Sequence, residues 1–125
     1  MRTAKSYLEE ANQTVTRISS DDAVAKYNEG GGLFIDVRDS NDIAKSGTIK
    51  GALRIPRGFM EFAADEEMPF HNAALTKDKD IYLICGAGGQ AALAGKTLKE
   101  MGYSSVTNIG GFADWQKAGG PVEAG

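Results

Sequence analysis

The chain has 125 residues, of which 42% are hydrophobic and 25% charged, a make-up that fits one globular domain and argues against disorder or a second folded domain. Fourteen Lys and Arg stand against 17 Asp and Glu for a net charge of -3, and with no basic run the expectation is no nucleic-acid partner. The single cysteine and single histidine leave no internal disulfide and no metal cluster, so neither metal nor bound cofactor is expected.

In chain order, Thr3 to Thr14 places Ala4, Leu8, Ala11 and Val15 at spacings of three and four, which predicts an amphipathic helix that packs on the domain or on a partner. It has no apolar stretch of secretory or membrane-spanning length, so the expectation is a cytoplasmic protein with no membrane partner. Thr16 to Ile18 is a candidate short strand. Ser19 or Ser20 with Asp21 and Asp22 opens a second helix that Gly30 to Gly32 ends. Leu33 to Val37 and Ile81 to Cys85 are short continuous apolar runs of the kind that form strands covered on both faces of a parallel sheet. Leu53 to Pro56 and Ser105 to Ile109 are weaker strands. Between the strong strands, Arg57 to Lys79 reads as an overhang with a short helix at Phe59 to Ala64 and an acidic loop. Gln90 to Met101 carries Ala91, Ala94, Leu98 and Met101 on one stripe and stops at Gly102. A last short helix, Phe112 to Ala118, carries Trp115. Strand and helix alternate, which predicts an α/β domain with a mostly parallel sheet.

The chemistry concentrates at Cys85-Gly86-Ala87-Gly88-Gly89-Gln90. The cysteine ends a buried strand, small residues follow, and the next helix points its N-terminus back at the loop. Small residues let successive amides converge on one point, and the positive end of a helix attracts negative charge there. A nucleotide-phosphate loop would need a Lys followed by Ser or Thr, which is missing. A cysteine phosphatase would need Cys-x5-Arg, and the position that arginine would take is Ala91.

These residues resemble the rhodanese-like sulfurtransferase family, single-domain type, over about Ile18 to Pro121. Phe34-Ile35-Asp36-Val37-Arg38-Asp39 is similar to the family's first signature, with Asp42 where a Glu is usual. Gly47 to Pro56 resembles the second, with Thr48 where His is most frequent. Cys85 to Gln90 corresponds to the active-site loop, and Gly110 to Trp115 with Gly119-Gly120-Pro121 to the carboxyl-terminal signature. The resemblance implies a three-layer α/β domain over residues 16–125, with a five-stranded, mainly parallel central sheet, helices on both faces and residues 1–15 as a helical extension. It also implies a Cys85 persulfide that takes sulfane sulfur from a small anion such as thiosulfate and passes it to cyanide, a thiol or a protein acceptor. The amides of Gly86, Ala87, Gly88, Gly89 and Gln90 would cradle that sulfur.

One departure bears on activity. Many active members carry Arg where this chain has Gln90, and an amide cannot replace a guanidinium's charge. Arg57 and Lys96 are the cations considered as substitutes, and Asp36 and His71 are the other supporting candidates. Arg38 is expected to pair with Asp42 and hold its loop. The alternative function is a weak or inactive binding module of this fold, or a sulfur carrier loaded by another protein.

Overall fold

The computed structural model describes residues Met1–Gly125. In chain order its elements are α1 (Ala4–Thr14), β1 (Thr16–Arg17), α2 (Ser20–Glu29), β2 (Leu33–Asp36), α3 (Ser40–Ser46), β3 (Thr48–Ile49) and β4 (Leu53–Arg54). A 3-10 turn at Arg57–Phe59 leads into α4 (Met60–Ala64), followed by β5 (Ile81–Cys85), α5 (Gly89–Glu100), β6 (Val106–Gly111), α6 (Phe112–Lys117) and β7 (Val122–Glu123). No helix is long and apolar enough to cross a membrane.

The five-stranded central sheet has the order β1-β6-β5-β2-β4, and every neighbouring pair in it is parallel. Successive side chains of a strand point to opposite faces, and here both faces are covered. Ile35, Val37, Ile81, Leu83 and Cys85 join one core cluster with Met60, Ala63 and Ala64 of α4 and Ala91, Ala94 and Leu98 of α5. Phe34, Ile84 and Ile109 join the other with Ala23 of α2 and with Phe112 and Trp115 of α6. This double burial explains the uninterrupted apolar runs of β2 and β5. It also puts the Cys85 side chain on the α5 face.

The first helix packs on the domain. Thr3 caps α1 in a reciprocal capping box with Ser6, and Ala11 and Val15 are buried at 0% and 3% exposure. The fit against α5 is close, since a Cβ on Gly95 would stand 3.0 Å from both Val15 methyls. Ser19 caps α2 by accepting the Asp22 amide.

Two features depart from the expectation. Residues 40–46, for which the sequence predicts no element, form α3, whose one buried residue is Ile43; two turns with one apolar contact are too short to show a period. Thr48–Ile49 and Val122–Glu123 form an antiparallel ribbon apart from the main sheet, with strands of two residues each, below the length at which alternation can be read.

Candidate active site

The cysteine loop closes on its own sulfur. Cys85 is 1% exposed, and its Sγ accepts the amide of Gly88 at 3.0 Å and the amide of Ala91 at 3.4 Å. The turn that brings Gly88 round requires φ of +102° there, a left-handed conformation that glycine adopts without steric cost. The Gly88 amide and the Ala91 amide in the first turn of α5 therefore meet at one sulfur, the kind of backbone arrangement that suits an anionic group, whereas the amides of Gly86, Ala87, Gly89 and Gln90 make no hydrogen bond to Sγ. Gly86 and Ala87 are exposed, and a Cβ on Gly86 would meet nothing within 4 Å, so the loop is open to solvent on that side.

Strand β6 supports the loop from below. Its pairing with β5 slips between Leu83 and Cys85, with Leu83 opposite Asn108 and Cys85 opposite Gly111. The extra residue is absorbed at Gly110, at φ of +83°, a bulge that bends the strand beside the cysteine. Gly111 then lies so close that a Cβ would stand 2.3 Å from the Gly86 carbonyl oxygen. Asn108, 1% exposed, donates from Nδ2 to the Gly88 carbonyl at 2.8 Å and accepts the Gly110 amide at 2.8 Å, tying loop and bulge together.

The supporting candidates fall elsewhere. Asp36 is fully buried and accepts from the Arg38 guanidinium at 2.8 Å, from the Arg38 amide at 3.1 Å and from the Thr48 hydroxyl at 2.7 Å. Arg38 also donates to Ser46 and to the Gly47 carbonyl and lies 4.6 Å over the Phe112 ring. The expected Arg38–Asp42 pair does not form: the guanidinium turns inward to Asp36, the buried carboxylate, while Asp42 stays exposed and bonds only through its backbone, donating to the Asp39 carbonyl and accepting from Ser46. A charge in the interior needs its counter-charge more than one in water does.

Arg57 donates to Glu61 and to Thr97 Oγ1, both at 3.0 Å, and Thr97 is about 12 Å of helix from Gly89. Lys96 is held by Glu10 at 3.0 Å and Glu100 at 3.3 Å. The His71 Nε2 lies 3.2 Å from the Leu75 carbonyl. None of these three side chains hydrogen-bonds the cysteine loop, and Gln90 is exposed on the first turn of α5. A cavity lined by Arg38, Ser40, Ile43, Arg54 and Pro56 includes no residue of the loop.

Two residues at the loop escaped the sequence reading. Asn108 had a signal, a lone amide inside an otherwise apolar strand. Arg17 had none: it is one exposed cation on a two-residue strand, and only the pairing of β1 with β6 carries it to the loop, where Nη2 donates to the Ala87 carbonyl at 3.3 Å.

Fold and loop together define a parallel α/β domain with a cysteine at the C-terminal end of a central strand, cradled by amides. The rhodanese-like domain family matches residues 19–118, and the chain belongs to that family. A sulfurtransferase of Allochromatium vinosum is 30% identical over 93 residues, 74% of this chain and 78% of that protein. A Bacillus subtilis protein named as a sulfur carrier, YrkF, is 32% identical over 83 residues, 66% of this chain, and the chain spans 40% of its length. Among solved structures, a Rhodopseudomonas palustris protein described as of unknown function and possible tyrosine phosphatase superposes with a TM-score of 0.92 at 36% identity, covering 98% of this chain and 96% of that one. The polysulfide-sulfur transferase homodimer of Wolinella succinogenes superposes with a TM-score of 0.76 at 28% identity, covering 97% of this chain and 87% of that one.

Proposed function

We propose that this protein is a sulfurtransferase that carries sulfane sulfur as a persulfide on Cys85, with thiosulfate as a competent donor. The observation that carries the reading is the double amide contact to Sγ from Gly88 and Ala91. In the loading step the Cys85 sulfur anion attacks the outer sulfur of thiosulfate. A bond forms between the two sulfurs, the bond from the outer sulfur to the sulfonate breaks, and sulfite leaves with the electron pair. Charge is conserved, and the negative terminal sulfur remains beside the loop amides. In the unloading step cyanide or a thiolate attacks that terminal sulfur, forms thiocyanate or a new persulfide, and returns the Cys85 anion. Two half-reactions on one covalent carrier give ping-pong kinetics.

The names of the relatives in Allochromatium, Bacillus and Wolinella support sulfur chemistry. The phosphatase description of the Rhodopseudomonas structure finds no support in this loop. The position at which a cysteine phosphatase holds phosphate with arginine is the buried Ala91, which offers only its amide.

A second reading, a carrier loaded or emptied by another protein, is favoured by an exposed aromatic trio that spans α4 and its flanks. Phe59 packs against Phe62 and Phe70 at centroid distances of 5.7 and 5.8 Å, yet all three are 40–58% exposed. Exposed clustered aromatics are enriched at protein interfaces.

Intact mass after incubation with excess thiosulfate, wild type beside Cys85→Ser, tests the carrier step. The expected result is a gain of about 32 Da on wild type alone, one sulfur atom, removed by cyanide. No gain in a folded sample with a free thiol refutes thiosulfate as donor and leaves the protein-loaded carrier.

A further inference from the structure

We infer that Arg17 is the cation of the cysteine loop, and that it acts on the Cys85 sulfur through one peptide group. The inference rests on the sulfur-carrier reading of Cys85 and adds to it a residue N-terminal to the family match, which begins at residue 19. The Ala87–Gly88 peptide has two ends. Its carbonyl oxygen accepts from Arg17 Nη2 at 3.3 Å, and its N–H, which belongs to Gly88, donates to Cys85 Sγ at 3.0 Å. A carbonyl that accepts from a cation draws electron density toward its oxygen and leaves the amide proton of the same peptide more positive. Hydrogen bonds in series strengthen one another in this way. Arg17 is therefore a positioning residue: it does not touch the sulfur but strengthens the donor that does.

Three further observations converge on the guanidinium. Arg17 faces Asn108 in the β1–β6 register, and Asn108 fixes the next carbonyl of the loop, that of Gly88, so one rung of the sheet holds two consecutive loop peptides. The guanidinium lies close against backbone that has no side chains: a Cβ on Gly88 would be 2.3 Å from Nη1, and one on Gly110 would be 3.0 Å from Nη2. Those two glycines have positive φ, so turn geometry and guanidinium contact require the same residue at each. Finally, Arg2, Arg38, Arg54 and Arg57 each form an ion pair with a carboxylate, whereas Arg17 pairs with none. The one arginine without a counter-charge is the one at the cysteine loop. It supplies, from the edge of the sheet, positive charge of the kind that Gln90 lacks.

The test uses the full chain with Arg17→Gln, which removes the charge, and Arg17→Lys, which keeps it. Arg17 is exposed on an edge strand, so neither change opens the core, and circular dichroism verifies the fold. The first readout is the Gly88 amide proton in a nitrogen–proton correlation spectrum, with the Leu83 amide as internal reference. Arg17→Gln is expected to move the Gly88 resonance upfield, as a weaker hydrogen bond does, and Arg17→Lys to restore most of the shift. An unmoved Gly88 resonance in folded Arg17→Gln overturns the relay, and so does a folded Arg17→Lys that shifts as far as Arg17→Gln.

The second readout is the rate of thiosulfate-driven mass gain, expected to fall about tenfold or more in Arg17→Gln. If the Gly88 resonance depends on the charge at residue 17 while wild type gains no mass, the relay stands and the thiosulfate reading fails. If wild type loads and Arg17→Gln loads equally fast, the reading stands and the relay fails.

Discussion

Asp36 and Arg38 are two residues apart, yet they meet side chain to side chain because Arg38 lies just beyond the end of β2 and folds back toward it. Asp36 is fully buried and receives both the guanidinium and the Thr48 hydroxyl. Removing Arg38 strands a carboxylate in the interior, a loss of about 3–5 kcal/mol. Removing the exposed Asp42 side chain costs within about 0.5 kcal/mol. Urea denaturation of Arg38→Leu beside Asp42→Ala checks both; equal midpoints would mean that the buried pair does not hold this region. The same pair shows where sequence reasoning stops at this scale. Arg38 and Asp42 have the spacing of a helical ion pair, and nothing local reveals that desolvation makes Asp36 the stronger claimant. Cys85 was legible because its signal is local, a strand, four small residues and a helix in succession. Arg17 lies 70 residues from Ala87 and was not.

At the scale of elements, α1 and its cap residue Val15 are fastened to α5 at three points. Val15 fits over Gly95, and Lys96 reaches Glu10 at 3.0 Å. Leu8 completes the contact near the site, since a Cβ on Gly89 would stand 3.6 Å from its Cδ2. The hydrogen bond from Lys96, followed by that from Arg2, holds the Glu10 carboxyl below its ordinary 4.5, and Glu10, followed by Glu100, raises Lys96 above its ordinary 10.5. A carboxyl with a lowered pKa contributes stability above its unfolded value and loses it as pH falls through the folded one; an amine with a raised pKa contributes below its unfolded value and loses it as pH rises through the folded one. The pair therefore acts fully between about pH 5 and 10, and being exposed it is screened by salt. Calorimetric melting followed from pH 6 down to 3 is expected to show a wider gap between wild type and Glu10→Gln at the top of that range than at the bottom. A constant gap would mean that the contact is apolar only. The periodicity of α1 was readable from its apolar stripe. Its receptor was not, because the groove on α5 is made by the absence of a side chain at Gly95.

Across the whole molecule, the parallel sheet draws its strands from distant parts of the chain, and long-range pairing of this kind forms late and depends on the core beneath it. The alternation of strands and helices was enough to read the fold class, because double burial writes itself into the composition of β2 and β5. The ribbon of β3 and β7 and the β1–β6 pairing were beyond reach, since two-residue strands carry no period and their register is set by neighbours. The main sheet is consequently uneven in strength. β2, β5 and β6 lie inside it, whereas β1 is an edge strand of two residues.

That unevenness sets an order of thermal failure. The Ile18 amide, bonded to the Asn108 carbonyl at the edge, is expected to exchange with solvent deuterium well before the Val37 amide, bonded to Ile84 at the centre, because elements with little buried surface open first. Equal exchange at the two amides would refute a weak edge. As the protein is warmed, the strand that carries Arg17 is expected to peel away while Cys85 and the Gly88 amide are still in place, so the proposed relay from Arg17 fails at a lower temperature than the fold.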